Sequence, residues 1–194
     1  KYENLMSYLS LKKFLHKRPT QEEAHLLNVI SDTSTLLRVA SELRDKGHGN
    51  IISYSRKIFI PLTKLCRDVC HYCTFSRDPQ KNQHSYMQPD EVMELLREGE
   101  KYGCKEALFT LGDKPELRYT RARKELQELG HETTLSYLFE TAGRVLKDTT
   151  LLPHLNAGVM STDDLRNLRK VSVSQGLMLE SVSPRLNKKG GPHH

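Results

Sequence analysis

No run of apolar residues in this chain approaches the ~18 needed to cross a bilayer as a helix, which excludes that class of membrane protein. The amino-terminal stretch lacks the charged, apolar and small-residue succession of a secretory signal peptide. Cysteine is scarce, four in 194 residues, and three of the four crowd between Cys66 and Cys73. A secreted disulfide framework spreads its cysteines along the chain. Crowding points instead to metal held in a reducing, cytoplasmic compartment. The basic residues, 30 against 24 acidic for a net +6, lack aromatic interleaving and are scattered. Only Lys12-Lys13, His16-Lys17-Arg18 and Lys188-Lys189 form short runs. That pattern disfavours nucleic acid as a partner and suits a solvated surface, or a metabolite carrying phosphate or carboxylate. An initiating methionine is also missing. The chain runs from Lys1 to Gly190-Gly-Pro-His-His194, and a fragment cut at both ends is the expectation, with His193-His194 native rather than a tag.

The 37% hydrophobic content is lean but enough for one core. Residues 5–48 read as two or three helices. Thr20 and Glu23 form a capping box, followed by Ala24, Leu27 and Ile30 on one face, and a further helix carrying Leu36, Leu37, Val39, Ala40 and Leu43 stops at Gly47. From residue 57 the pattern alternates. Strands are expected at 57–63, 106–111, 133–138, 152–157 and 174–180. Helices are expected after Pro89, from about Pro115 to Leu129, over 139–148 and after Ser161. Such alternation implies βαβ crossovers and a parallel sheet. The expected fold is therefore α/β, a parallel (β/α) partial barrel of TIM type, truncated after about five strands. The expected domains are a helical extension over 1–50 and the incomplete barrel over 51–194. A doubly wound sheet is the competing architecture.

Ligands of parallel α/β folds sit at the carboxyl ends of the strands. Those ends carry the three cysteines, then Gly112-Asp113-Lys114-Pro115-Glu116, Ser136-Tyr137, Asn156 with His154 just before it, and Glu180-Ser181. Cys66, Cys70 and Cys73 supply three thiolates. Three can hold three corners of a cubane iron–sulfur cluster and leave the fourth iron open to bind a ligand. Structural zinc is the alternative, with Cys104 as a fourth sulfur. Cys104 precedes the second strand, however, at the opposite end of the sheet, where a buried structural thiol is expected. Gly112 lets a ligand approach the backbone, and Asp113 can accept from an ammonium group. Asn156 and Glu180 divide between site and scaffold. Tyr137 and His154 read as packing residues, and His71 faces solvent.

The pattern Cys66-x3-Cys70-x-Tyr72-Cys73 after a first strand resembles the radical S-adenosylmethionine (SAM) enzymes, and Gly112-Asp113-Lys114-Pro115 resembles their motif after strand two. Longer strings, among them Lys105-Glu-Ala-Leu-Phe-Thr-Leu-Gly-Asp-Lys-Pro-Glu116 and Leu151-Leu-Pro-His-Leu-Asn156, narrow the likeness to the deazaflavin-forming FO synthase family. It runs from about Ser53 to His194. The resemblance implies a [4Fe–4S] cluster on Cys66, Cys70 and Cys73, with SAM chelated to the fourth iron. Tyr72 would lie near the adenine, Asp113 would take the SAM ammonium together with Gly112, and Asn156 and Glu180 would reach ribose or substrate. It implies a lyase that closes the ring of a hydroxybenzyl–ribityl-uracil adduct with loss of ammonia. The implied partners are the subunit or fused half that makes the adduct, and a reductant protein; no nucleic acid or membrane is implied. A sibling radical SAM enzyme on the same scaffold, or a non-catalytic zinc or RNA-binding module, are the other readings. No catalytic acid or base is identifiable.

Overall fold

The computed structural model describes residues 8–192. The expected helix start at residue 5 and the pair His193-His194 lie outside the described residues. Contacts divide the chain into two units, Lys1–Tyr54 and Ser55–His194.

The first unit is helical: α1 (Tyr8–Leu11), a 3₁₀ turn (Lys12–Leu15), α2 (Gln21–Leu27) and α3 (Thr33–His48). The Thr20 hydroxyl accepts from the Glu23 amide at 3.2 Å, and the Glu23 carboxylate accepts from the Thr20 amide at 2.9 Å, completing the expected box. Asp32 caps α3 by accepting from the Thr35 amide at 3.2 Å. The helix runs through Gly47 rather than stopping there. It ends where Gly49 adopts φ +58, a conformation that needs no Cβ. Leu11, Phe14 and Val39 form the small core of this unit, with Leu27, Ile30 and Leu36 against it.

The second unit is a four-stranded parallel sheet. Its order is β1 (Lys57–Ile60), β2 (Glu106–Thr110), β3 (Leu152–Asn156) and β4 (Ser174–Gln175), each strand beside its neighbour in sequence. A doubly wound sheet reverses its strand order about a switch point; this order does not reverse, as in a barrel. Strand β1 is shorter than expected because Pro61 has no N–H for the ladder. Strand β4 pairs only at Ser174 and Gln175, and the Gly176 amide makes the last bond, to the Leu155 carbonyl at 2.9 Å. Strand β3 ends at Asn156, so residues 177–180 have no ladder to join.

The expected strand at 133–138 is wrong. Those residues open α6 (Thr134–Asp148), capped by Thr133 and Ser136 acting on each other's amides. Thr134, Tyr137, Leu138, Thr141, Ala142 and Val145 are all buried, and their spacing is that of one helix face. The expected helix from Pro115 also divides, into a 3₁₀ turn (Pro115–Leu117) and α5 (Thr120–Glu128). The remaining helices are α4 (Pro89–Lys101), which packs on β1, and α7 (Thr162–Leu168); α6 packs on β3. No helix among the described residues is long and apolar enough to cross a membrane.

One sheet face is sealed: Ile60, Ala107, Phe109 and Leu155 are fully buried with Leu96, Leu138 and Val145 of the helices. The other face carries Lys57, Phe59, Leu108, Thr110, Leu152, His154 and Asn156, with Phe59 at 45% and Leu152 at 44% exposure. Parallel sheets bury both faces, so the open face is built to be covered.

Two buried glutamates fix connections of this unit: Glu125 holds the long one between β1 and α4, and Glu116 holds the start of α6. Glu125 accepts from the Ser85 amide at 2.8 Å and the Tyr86 amide at 3.2 Å. Glu116 accepts from the Thr134 amide at 3.1 Å and hydroxyl at 2.6 Å. Replacing Glu125 by Ala strands two buried amides, for a loss of about 2–4 kcal/mol in denaturant unfolding. Glu125→Gln, which keeps one acceptor oxygen, is expected to lose less.

Candidate active site

The cysteine loop starts where β1 ends, and its first turn is laid across the end of β2. The Thr63 hydroxyl accepts from the Leu65 amide at 3.1 Å and donates to the Ser85 carbonyl at 2.7 Å, while the Gly112 amide donates to the Thr63 carbonyl at 3.0 Å. A Cβ on Gly112 would stand 1.8 Å from the Leu65 carbonyl oxygen and 2.6 Å from its carbon. The group that approaches Gly112 is thus the protein's own backbone, where a ligand was expected.

One residue further, Asp113 meets the loop four times. Its amide donates to Cys66 Sγ at 3.2 Å, and its carbonyl accepts from the Arg67 amide at 2.9 Å. Its Oδ2 accepts from Arg67 Nη2 at 2.9 Å and Nε at 3.2 Å. Oδ1 accepts from Lys114 Nζ at 3.2 Å, and the same ammonium group donates to the Val159 carbonyl after β3. Gly158, at φ +75, leaves room for this side chain; a Cβ there would lie 2.9 Å from Asp113 Cβ. Asp113 is 6% exposed, a buried carboxylate held between two cations. The expectation of an open acceptor for a ligand ammonium is therefore altered: Oδ2 is committed to Arg67, and Oδ1 is shared with Lys114.

Cys66 and Cys70 are half-buried and Cys73 is exposed, all as free thiols. Burial pushes the Cys66 thiol up, opposed by amide hydrogen bonds from Asp68 and Asp113. Burial also raises Cys70, with the charges of Asp68 and the flanking thiols adding to it and a hydrogen bond from the Tyr72 hydroxyl opposing it. Cys73 Sγ accepts from the Ser76 amide at 3.4 Å. Each of the three sulfurs thus has a hydrogen-bond donor suited to a thiolate. Among the described residues no three His, Cys, Asp or Glu side chains converge on a single point. A cubane takes each thiolate on a different iron, so its ligands stand farther apart than those around one ion. The donor set fits such a cluster. Cys104 sits ahead of the amino end of β2, half-buried against the main core, with its amide on the Gly99 carbonyl at 2.9 Å.

Tyr72 is pushed up by desolvation and then by the charge of Glu180, which places Glu180 within electrostatic reach of the cysteine loop. Glu180 nevertheless lies beyond β4 and is exposed, not at a strand end. Asn156 closes β3, in register with Thr110 and half-buried on the open face. His154 is one layer lower, its Nδ1 2.6 Å from the Ser174 hydroxyl. Tyr137 lies in α6, buried, donating to the Met87 carbonyl at 2.7 Å; the rim is formed by four strand ends rather than five. His71 is exposed, and its amide donates to the Pro192 carbonyl at 3.1 Å. Sequence reasoning missed Arg67, Glu125 and Gly158, and it placed Glu116 at the strand end without its role on Thr134. Arg67 lay inside the motif but had no visible partner.

Residues 60–194 match the description of the radical SAM superfamily, and the chain belongs to it. That superfamily works with a [4Fe–4S] cluster and SAM. More particularly, the chain is 49% identical over 177 residues to a protein named FO synthase from Mycobacterium tuberculosis, covering 84% of this chain and 21% of that protein. It is 44% identical over 143 residues to 7,8-didemethyl-8-hydroxy-5-deazariboflavin synthase from Methanopyrus kandleri, covering 74% of this chain and 43% of that one. The chain thus spans about a fifth of the Mycobacterium tuberculosis relative and under half of the Methanopyrus kandleri one. Among solved structures, the hydrogenase maturase HydG superposes with a TM-score of 0.68 at 19% identity, over 96% of this chain and 40% of that one. Methylornithine synthase (PylB) does so at 0.63 and 19%, over 93% and 50%. These two share the fold.

Gly112→Ala is expected to displace the start of the cysteine loop and to lower unfolding stability by more than about 3 kcal/mol, because the clash is with backbone that cannot rotate away. Gly130→Ala, where a Cβ meets nothing within 4 Å but φ is +83, is the comparison and is expected to lose only about 1 kcal/mol. Chemical denaturation of the two variants checks the difference.

Proposed function

We propose that this chain carries the SAM-cleaving site of a deazaflavin-forming enzyme. The observation that supports it best is the loop Cys66–Cys73, laid over the carboxyl end of the sheet with a hydrogen-bond donor at each sulfur. Cys66, Cys70 and Cys73 would hold three irons of a [4Fe–4S] cluster. The bound cofactors would supply a carbon-centred radical, the hard chemistry that no side chain provides. The chain's own residues hold and enclose. The amides of Asp113 and Ser76 and the Tyr72 hydroxyl stabilise the thiolates. Gly112 brings the loop and β2 into contact. Asp113 Oδ1, Asn156, Tyr72 and Glu180 line the side from which SAM and substrate would approach, and an ammonium group would join or replace Lys114 at Oδ1.

The substrate that the family resemblance implies is the hydroxybenzyl–ribityl-uracil adduct, which would be closed to the deazaflavin with loss of ammonia, making the activity that of a lyase. The adduct would come from a partner subunit or a fused second half, and the electron from a reductant protein. The four free thiols suit the reducing cytoplasm, and no nucleic acid or membrane enters the reading.

Anaerobic reconstitution with iron and sulfide tests the cluster. A brown protein with about four irons and four sulfides per chain is expected. The colour should be lost in Cys70→Ala and kept in Cys104→Ala, and a chelator should bleach it. A colourless protein with stoichiometric zinc would contradict the reading. With reductant, SAM and the adduct, the enzyme containing this chain should give a fluorescent deazaflavin. Formation of 5′-deoxyadenosine without it points to a sibling reaction.

A further inference from the structure

The motif residue Arg67 has no assigned role, and its contacts are unusual. Its guanidinium forks onto Asp113 Oδ2 through Nη2 at 2.9 Å and Nε at 3.2 Å, while its amide donates to the Asp113 carbonyl at 2.9 Å. Asp68 stands 3.8 Å from Nε as a weaker neighbour, and Arg118 Nη1 donates to the Arg67 carbonyl at 3.3 Å. Asp113 in turn donates its amide to Cys66 Sγ and touches Lys114, which reaches the Val159 carbonyl. Side chain and backbone together tie three loops, those after β1, β2 and β3, around one buried carboxylate.

We propose that Arg67 is a positioning residue: its fork on Asp113 latches the cysteine loop to the end of β2 and holds Cys66 Sγ on the Asp113 amide. The backbone bond between the loops needs no side chain, so it fixes their spacing. The fork adds a side-chain clamp beside it: Nη2 and Nε converge on the single oxygen Oδ2, and the rigid, planar guanidinium holds that oxygen at one place next to the cysteine loop. Lys114 cannot substitute, since it approaches the other oxygen from the β3 side. The purpose of the latch rests on the cluster reading; its existence does not.

The test uses the whole chain, reduced and metal-free under anaerobic conditions, pulsed with iodoacetamide and read peptide by peptide by mass spectrometry. Cys104, in the same unit at the other end of the sheet, is the internal reference. Arg67→Met is expected to raise the alkylation rate of Cys66 relative to Cys104 by about tenfold, the equivalent of about 1.4 kcal/mol. Arg67→Lys keeps the charge but not the fork and is expected to fall between. Asp113→Asn should match Arg67→Met, and the double variant should exceed neither, because all act through one contact. An unchanged Cys66 rate in Arg67→Met, an equal rise at Cys104, or full additivity in the double variant overturns the proposal. If Arg67→Met does not fold, Arg67→Lys decides: a Cys66 rate equal to that of the unaltered chain overturns it. A chain that takes up no iron on reconstitution defeats the cluster reading, and the alkylation rates still decide the latch.

Discussion

The backbone of Leu65 lies against Gly112 so closely that no side chain fits between them. Everything at the site follows from that contact. It brings the Thr63 carbonyl to the Gly112 amide, the Asp113 carbonyl to the Arg67 amide and the Asp113 amide to Cys66 Sγ. The cysteine loop is thereby carried over the end of the sheet instead of hanging from β1 alone. Three thiolates on a tethered loop would hold a cluster in one place, which matters for an enzyme whose cofactor supplies the chemistry and whose protein supplies position.

The sheet explains why that place is useful. Strands in the order β1-β2-β3-β4 put the cysteine loop, the Asp113 turn, Asn156 and the segment after Gly176 along one edge. Helices α4 and α6 seal the other face, and the buried carboxylates of Glu116 and Glu125 fix the connections that reach it. The open face, with Phe59, Leu152 and His154, runs down from the same edge. A ligand at the cluster and a substrate against the open face would therefore be neighbours.

Much of this was legible in the sequence because local chemistry determines it. The capping pairs Thr20–Glu23 and Ser161–Asp164, Pro89 at the start of α4 and the cysteine spacing all act over a few residues. The stretch 133–138 was misread because Thr-Thr-Leu-Ser-Tyr-Leu has the β-branched and aromatic content of a strand. Its helical spacing shows only when Thr141, Ala142 and Val145 are included. The pairing of Arg67 with Asp113 spans 46 positions, and no pattern in either segment announces it. Glu116 stood only within the polar run after the second strand and Glu125 drew no reading, since carboxylates are rarely buried; here several backbone amides and a hydroxyl satisfy them.

The central claim is a cluster held by three cysteines with one iron left for SAM. Mössbauer spectroscopy of the chain reconstituted with iron-57, before and after SAM is added, tests it most directly. About a quarter of the iron should change its isomer shift on binding, as one site gains new ligands while three keep their thiolates. Four irons that respond alike, or a spectrum of isolated mononuclear iron, would contradict it.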